Sequence, residues 1–182
     1  MIKGNLIGLR ALEKEDLFAL RDWRNISSFR KNFREVRELN MVNQENWFNR
    51  TNNSPNDFMF IVERLEDKKL LGACGLLYIN WIIRSADFSF YIGHDEAYID
   101  DKGYAQEAVK LLIEYGFHSL NLHKIWMELY EFDTSKINFF TQEFKFTKDG
   151  VLRDNCFEGG KFWNSGLYSL LSNEYASNPA QK

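Results

Sequence analysis

The sequence predicts a mixed α+β fold, with a mostly antiparallel central sheet that contains one parallel pair of strands. Three strand-like segments follow one another through residues 58–92 with only short turns between them, which favours antiparallel neighbours. An amphipathic helix then leads to a strand at His123–Leu129, and a helical crossover of that length joins parallel strands. The 182 residues fit one domain. We predict a single domain over residues 1–176 and a disordered tail over residues 177–182.

Composition excludes several classes of function. The net charge of -3 provides no basic patch for nucleic acid, and no apolar run approaches the ~20 residues that span a bilayer. The first residues lack the apolar core of a secretory signal. Two cysteines are too few for a disulfide framework, which makes a reducing cytoplasm the expected location. Three scattered histidines and two cysteines give no metal-ligand spacing, so no metal is expected.

The first half of the chain alternates helical and extended patterns. An acidic run at residues 13–16 opens a helix whose apolar positions recur at helical spacing, and a polar, basic stretch through Arg37 separates it from a second helix. Residues 51–56 have the composition of a loop. The predicted elements are a strand at Asn5–Leu12, helices from Glu13 and around Asn43–Phe48, and strands at Phe58–Val62, Leu70–Ile79 and Arg84–Ile92.

The second half is organised around a polar turn that feeds a helix. Apolar residues recur at helical spacing from Ala105 to Tyr115, and the charged residues take the opposite face. Asp133 or Thr134 is the expected N-cap of a short helix, and Gly159-Gly160 is a hairpin turn signal. The remaining predicted elements are that helix at Asp133–Glu143, a strand that starts at Phe144–Phe146 and continues beyond Gly150, and a last strand at Trp163–Leu171.

The stretch Asp100–Phe117, preceded by a strand, has the geometry that directs free backbone N–H groups at an anion. Its register, with Arg84-Ser85-Ala86-Asp87 and Tyr98 upstream and Lys102-Gly103-Tyr104-Ala105-Gln106-Glu107-Ala108 at the turn, resembles the acetyl-CoA-binding core of the GNAT acetyltransferases. The C-terminal segments from Gly150 onward resemble the ribosomal-protein and spermidine branches. The resemblance covers nearly the whole chain.

The resemblance implies a sheet of about seven strands flanked by about four helices, with the parallel pair splayed where acetyl-CoA binds. It implies that backbone N–H groups near Phe90, Tyr91 and Ile92 face the thioester oxygen, which gains charge during transfer. It places the diphosphate at the turn and further cofactor contacts on the later short helix. The implied cofactor-binding residues there are Asp101, Lys102, Gly103, Tyr104, Ala105, Gln106, Asp133, Lys136 and Phe140.

The resemblance also suggests catalytic residues. Asp87 stands where relatives carry a strand carboxylate that accepts the amine's proton, although it could instead be an ion-pair partner of Arg84 or of another cation. Relatives carry a tyrosine acid on the short helix, but alignment places Phe140 or, in another register, Thr141 at that position. Tyr130 is close in sequence and is the candidate substitute.

Two departures affect the diphosphate turn and the short helix. Asp100 and Asp101 replace a basic or amide residue and a glycine, and two carboxylates oppose a diphosphate unless their side chains turn outward. Lys145 replaces the glycine that usually closes the helix.

The pairing of Trp23-Arg24-Asn25 with a later Trp47-Phe48 helix resembles the branch that acetylates amino sugars on nucleotide carriers. Arg24, Asn25 and Trp47 are therefore candidate substrate contacts, unless the aromatic rings are core residues and Arg24 is solvated. The predicted function is acetyl transfer to a small-molecule amine, a nucleotide-linked amino sugar first and then a polyamine or a protein N-terminus. A non-catalytic acyl-CoA-binding module is the alternative, and the sequence leaves a homodimer open.

Overall fold

Eight strands form a single sheet within residues 1–177, the part of the chain that the computed structural model describes. The strands are β1 (Ile2–Lys3), β2 (Ile7–Ala11), β3 (Phe58–Arg64), β4 (Leu70–Asn80), β5 (Ser85–Ile92), β6 (Lys124–Tyr130), β7 (Thr147–Glu158) and β8 (Lys161–Leu171). Their order across the sheet is β1-β2-β3-β4-β5-β6-β8-β7. All neighbours are antiparallel except β5 and β6, which confirms the predicted mixed sheet and its parallel pair.

Helices cover both faces of this sheet. They are α1 (Leu17–Asn25), α2 (Ser27–Arg30), α3 (Met41–Asn53), α4 (Tyr104–Glu114), α5 (Thr134–Asn138) and α6 (Ser172–Ser177). π-helical turns extend α4 through Ser119 and α5 through Glu143. The apolar face of α4 and the rings around Phe140 form the larger core, whereas α1, α2 and α3 enclose a second core around Tyr91.

Alternation along β5 decides which face each of its side chains joins. Phe88 and Phe90 belong to the larger core, and Tyr91 belongs to the core beneath α1, α2 and α3. Asp87 has the parity of Tyr91, so its carboxylate faces the α1–α3 side of the sheet. β5 therefore contributes side chains to the cores on both faces of the sheet.

The structure corrects several sequence expectations. Phe144–Phe146 does not start a strand: Phe144 and Phe146 are buried core rings, and β7 begins at Thr147. Residues 51–53 continue α3 rather than opening the loop. β1, α2 and α6 were not predicted.

The Gly159-Gly160 hairpin is confirmed, with both glycines at positive φ as such a turn requires. Ser177 ends α6, and residues 178–182 of the predicted tail lie outside the described residues.

Glu107 fastens the start of β2 to the first turn of α4. Its carboxylate accepts N–H groups from Asn5 at 2.7 Å, from Leu6 at 2.7 Å and from Ile7 at 2.8 Å. Ile7 is fully buried, so its N–H has no access to water once that acceptor is lost.

We expect Glu107→Gln to lower the free energy of unfolding by about 2 kcal/mol, because hydrogen bonds to a charged acceptor contribute more than those to a neutral amide. Urea denaturation measures the change. Glu114→Gln, which removes a surface carboxylate paired with Lys110 on the same helix, is the matched control. Equal losses in both variants would contradict the anchoring role.

Candidate active site

A cavity of about 500 Å³ lies where β5 and β6 part. The two strands pair only from Ser85–Asp87 to Lys124–Trp126, and beyond that ladder they diverge. Residues from both strands, from α1 and α3, from the 31–40 loop and from the α5 region line the space. The walls include Asp87, Phe90, Tyr91, Glu128, Lys136 and Phe140.

The backbone of β5 offers N–H groups to this cavity. Gly93 N–H donates to the carbonyl oxygen of Leu71 on β4 at 2.8 Å, whereas Ile92 N–H donates to the carbonyl oxygen of Tyr98 at 3.0 Å. Because successive residues of a strand direct their backbone groups to opposite edges, Phe90 N–H points into the split and Tyr91 N–H points to β4. Of the three predicted backbone donors, Phe90 is therefore the one available to a thioester oxygen.

Asp87 is a buried carboxylate in the cavity wall, 6% exposed. Burial raises its pKa, and the guanidinium of Arg34, 2.7 Å from Oδ2, opposes that rise. The alternative of an ion pair thus holds with another cation, Arg34, whereas Arg84 donates to the side-chain oxygen of Asn121. Asp87 thus has the burial expected of a proton acceptor, and its ionic partner comes from the 31–40 loop.

Glu128 is a second carboxylate on the cavity wall, which the sequence analysis did not single out. Its Oε1 atom accepts from the side chains of Asn155 at 2.6 Å and Ser165 at 2.7 Å, and its Oε2 atom lies 3.5 Å from Arg34. Alternation along the predicted His123–Leu129 strand puts Glu128 on one face with Trp126. The sequence did not give the register of the β5–β6 pair, in which Asp87 lies opposite Trp126. Knowledge of that register would have placed Glu128 near Asp87.

The turn before α4 carries the predicted diphosphate donors, but a carboxylate of the protein occupies several of them. Asp100 accepts N–H groups from Lys102 at 2.7 Å, from Tyr104 at 3.0 Å and from Ala105 at 2.6 Å. Gly103 has a φ of 89°, a left-handed angle that glycine adopts without cost. Asp100 is thus turned inward, contrary to the outward orientation expected for a diphosphate site.

The other predicted turn residues differ in their contacts. Asp101 is exposed, Lys102 has its ammonium 3.5 Å from Asp95, and the Gln106 side chain donates to Glu143 at 3.3 Å. The turn and helix start fit a diphosphate once Asp100 rotates away, since the donors and the helix dipole already converge there.

The position of the usual tyrosine acid carries no acidic side chain. Phe140 is 1% exposed and packs against Phe88 and Phe146, and the Thr141 hydroxyl donates to the carbonyl oxygen of Ile137 at 2.7 Å. Tyr130, the candidate substitute, is not among the residues that line the cavity. Neither alignment therefore provides a hydroxyl acid at the cavity wall.

The loss of the closing glycine has a backbone consequence. Lys145 adopts a φ of 61°, in the left-handed region that a glycine would occupy without strain.

Lys136 is a buried cation at the cavity wall, 7% exposed. Its ammonium lies 4.5 Å from the centre of the Tyr98 ring, and the Tyr98 hydroxyl donates to Asp133 at 2.6 Å. Asp133 also caps α5 by accepting the N–H of Lys136 at 3.2 Å, which confirms one of the two predicted caps. Burial lowers the pKa of Lys136 to about 8.

We expect Lys136→Met to stabilise the fold at pH 7 by on the order of 3 kcal/mol, the cost implied by a lysine pKa that falls from 10.5 to about 8. Between pH 8 and 10.5 the folded protein has released the proton while the unfolded chain still holds it. The free energy of unfolding of the wild type therefore rises with pH across that window, and its difference from that of the variant becomes smaller. Urea denaturation at several pH values measures this, and a gap independent of pH would contradict it.

The three predicted substrate contacts have different surroundings. Arg24 lines the cavity with its guanidinium 3.9 Å from the centre of the Phe33 ring. Trp47 also lines the cavity while packing on the smaller core. Asn25 exchanges two hydrogen bonds with the backbone of Leu39, at 2.9 and 2.7 Å, and thereby ties the 31–40 loop to α1. The structure brings Arg24 and Trp47 to the cavity and gives Asn25 a structural contact.

Comparison with known proteins decides the family. Residues 7–141 match the profile of the acetyltransferase (GNAT) domain. The chain belongs to the GNAT acetyltransferase family. It is 30% identical over 175 residues to a spermidine N(1)-acetyltransferase of Vibrio cholerae, a match that covers 92% of this chain and 94% of the relative.

Two other relatives and one solved structure are also N-acetyltransferases. A spermidine N(1)-acetyltransferase of Escherichia coli K12 is 26% identical, with 96% of this chain and 91% of the relative covered. An uncharacterized N-acetyltransferase, p20 of Bacillus licheniformis, is 35% identical over 66% of this chain and 65% of the relative. The crystal structure of the Vibrio cholerae spermidine N-acetyltransferase with CoA and spermine superposes with a TM-score of 0.84 at 27% identity, over 94% of this chain and 99% of that one.

This GNAT chain is therefore an N-acetyltransferase that acts on amines with acetyl-CoA as co-substrate. Within residues 1–177 no group of three or more His, Cys, Asp or Glu side chains is arranged to hold a metal ion. In the same range no helix has both the length and the apolar character needed to cross a bilayer.

Proposed function

We propose that this enzyme acetylates a primary amine of a polyamine of the spermidine class. The relatives named as spermidine acetyltransferases, which align over nearly the whole chain, favour this acceptor over the nucleotide-linked amino sugar that the sequence motifs suggested. The observation that carries the proposal is the pair of cavity carboxylates, Asp87 and Glu128, at the point where β5 and β6 part. Two carboxylates in a partly buried wall suit a cationic acceptor.

In the proposed reaction the ammonium group of the acceptor transfers its proton to Asp87, and the neutral amine attacks the thioester carbonyl carbon. Acetyl-CoA supplies the activated acetyl group. Phe90 N–H donates to the thioester oxygen as that oxygen gains charge. The amine nitrogen loses a further proton as the amide forms, and water can pass that proton to the departing thiolate, so that CoA leaves as the thiol. Because a free thiol has a pKa of about 8.5, this transfer does not require a tyrosine at the position of Phe140.

A nucleotide-linked amino sugar is the second candidate, and one observation favours it. The Nε atom of Arg24 is buried and has no hydrogen-bond partner among the described residues, and Lys136 places a second cation on the same wall. Buried cations such as Arg24 and Lys136 suit an acceptor that carries phosphate as well as an amine.

The test is steady-state release of the CoA thiol with acetyl-CoA and a panel containing spermidine, spermine, a peptide N-terminus and a UDP-linked amino sugar. The proposal expects turnover with a polyamine and little with the others. Turnover confined to the amino sugar would replace the first acceptor by the second. CoA binding without turnover of any amine would indicate the acyl-CoA-binding module instead.

Because Asp87 must be ionised to accept a proton and burial raises its pKa, the acid limb of kcat/KM should lie above the ordinary range of an aspartate. The single-domain boundary at residue 176, the cytoplasmic location and the homodimer stay predictions.

A further inference from the structure

The two cavity carboxylates share one cation that belongs to the protein. Arg34 Nη1 lies 2.7 Å from Oδ2 of Asp87, and Arg34 Nη2 lies 3.5 Å from Oε2 of Glu128. The guanidinium therefore bridges β5 and β6 at the mouth of the split. Both carboxylates are largely buried, with side-chain exposures of 8% and 14%, whereas that of Arg34 is 50%.

We propose that Arg34 holds the place of the acceptor ammonium group, so that binding of the amine between Asp87 and Glu128 displaces the arginine. This rests on the proposed function, since it defines where the amine of that reaction binds. It assigns Glu128 as a positioning residue for the acceptor and Arg34 as an internal competitor.

Glu128 is built to present one oxygen to the cavity. Asn155 and Ser165 both donate to Oε1, which fixes the carboxylate on the sheet and leaves Oε2 directed at Arg34. An ammonium group has three donors and can therefore bond Oε2 of Glu128 and Oδ2 of Asp87 together. The same position would bring the amine proton to Asp87.

The position of Arg34 allows its side chain to dissociate from Asp87 and Glu128. It belongs to the 31–40 loop, which has neither helix nor strand, and half of its side chain is in water. A partly exposed ion pair contributes little net stability, but two buried carboxylates left without a cation would be costly. Arg34 is therefore released when another cation takes over, which selects acceptors that arrive protonated.

Other charges on the cavity wall do not replace Arg34. Glu35 pairs with Arg37 within the loop, at 2.6 Å. Arg24, Lys136 and Arg50 are the remaining basic groups on the wall. Arg24 and Lys136 contact the rings of Phe33 and Tyr98. Within residues 1–177 the ion pairs of the two carboxylates are those with Arg34.

The test compares Arg34→Gln with Arg30→Gln, which removes the same charge from an ion pair that links the two ends of the loop outside the cavity. We expect Arg34→Gln to lower the KM for the best amine of the panel about tenfold with kcat unchanged, and Arg30→Gln to leave both within twofold. Glu128→Gln should raise KM about tenfold, and in that background Arg34→Gln should have a much smaller effect. Thermal unfolding shows whether each variant is folded. Arg34→Lys keeps the positive charge but not the two separate guanidinium nitrogens that contact Asp87 and Glu128, and it should give an intermediate KM.

Calorimetry of spermidine on the CoA-saturated protein separates this proposal from the proposed function. Tighter binding to Arg34→Gln without turnover of any amine would retain the ammonium site and reject the function. Turnover with a KM that Arg34→Gln leaves unchanged or raises would retain the function and overturn the ammonium site. A loss of thermal stability in Arg34→Gln without a change in KM would likewise overturn it, because the bridge would then be structural only.

Discussion

Asp87→Asn is expected to lower kcat with the preferred amine by two to four orders of magnitude, the usual contribution of a positioned general base. The asparagine keeps the shape of the side chain but cannot accept the proton that the acceptor must lose. Only an acceptor that is already neutral would react, so the residual activity should rise with pH toward the pKa of the free amine. Steady-state thiol release, measured over a range of pH, gives both the loss in kcat and the rise of the residual activity with pH.

The affinity for CoA provides the control for this variant. Asp87 lies on the α1–α3 side of the sheet, away from the turn before α4, so CoA binding by calorimetry should stay within about threefold of wild type. A variant that retains more than half of the wild-type kcat would show that Asp87 is only the ion-pair partner of Arg34.

Asp100→Asn is expected to tighten CoA binding about tenfold. In the wild type the Asp100 carboxylate accepts one N–H group of the turn and two at the start of α4, so a diphosphate must displace a negative charge to reach them. The asparagine removes that charge, and a neutral acceptor is displaced more readily. Calorimetric titration with CoA measures the change directly, without any amine present.

Asp101→Asn is the matched control, because it removes the same charge one residue away from an exposed side chain. We expect it to change CoA affinity less than threefold. Weaker binding in Asp100→Asn would mean that the aspartate organises the turn for the cofactor rather than competing with it. Equal gains in the two variants would attribute the effect to net charge alone.

The fold was largely predictable because the apolar periodicities in this chain are strong. Strands β3, β4 and β5 lie at the strand-like segments predicted over residues 58–92, and the crossover through α4 required β6 to run parallel to β5. The prediction failed at Phe144–Phe146, where aromatic residues typical of a strand fill the core after a π-helical turn. Tertiary packing decided that segment, and no local pattern distinguishes the two outcomes.

The site was only partly predictable, for a physical reason. Asp87 and Phe90 were candidates because of the family resemblance of their strand, whereas Arg34 lies in an irregular basic stretch that gives no indication of where its side chain points. The inward rotation of Asp100 is likewise a side-chain choice, since a carboxylate at that position can cap the helix or turn to solvent. The resemblance to the family located the turn, and in the structure the Asp100 carboxylate occupies it.

A crystal structure with acetyl-CoA bound tests the central claim most directly. The account predicts the diphosphate within hydrogen-bond distance of backbone N–H groups between Lys102 and Gln106, with the Asp100 side chain rotated outward. It also predicts the thioester oxygen at Phe90 N–H, between the diverging strands β5 and β6. A nucleotide bound at another surface, with side chains filling the gap between those strands, would contradict it.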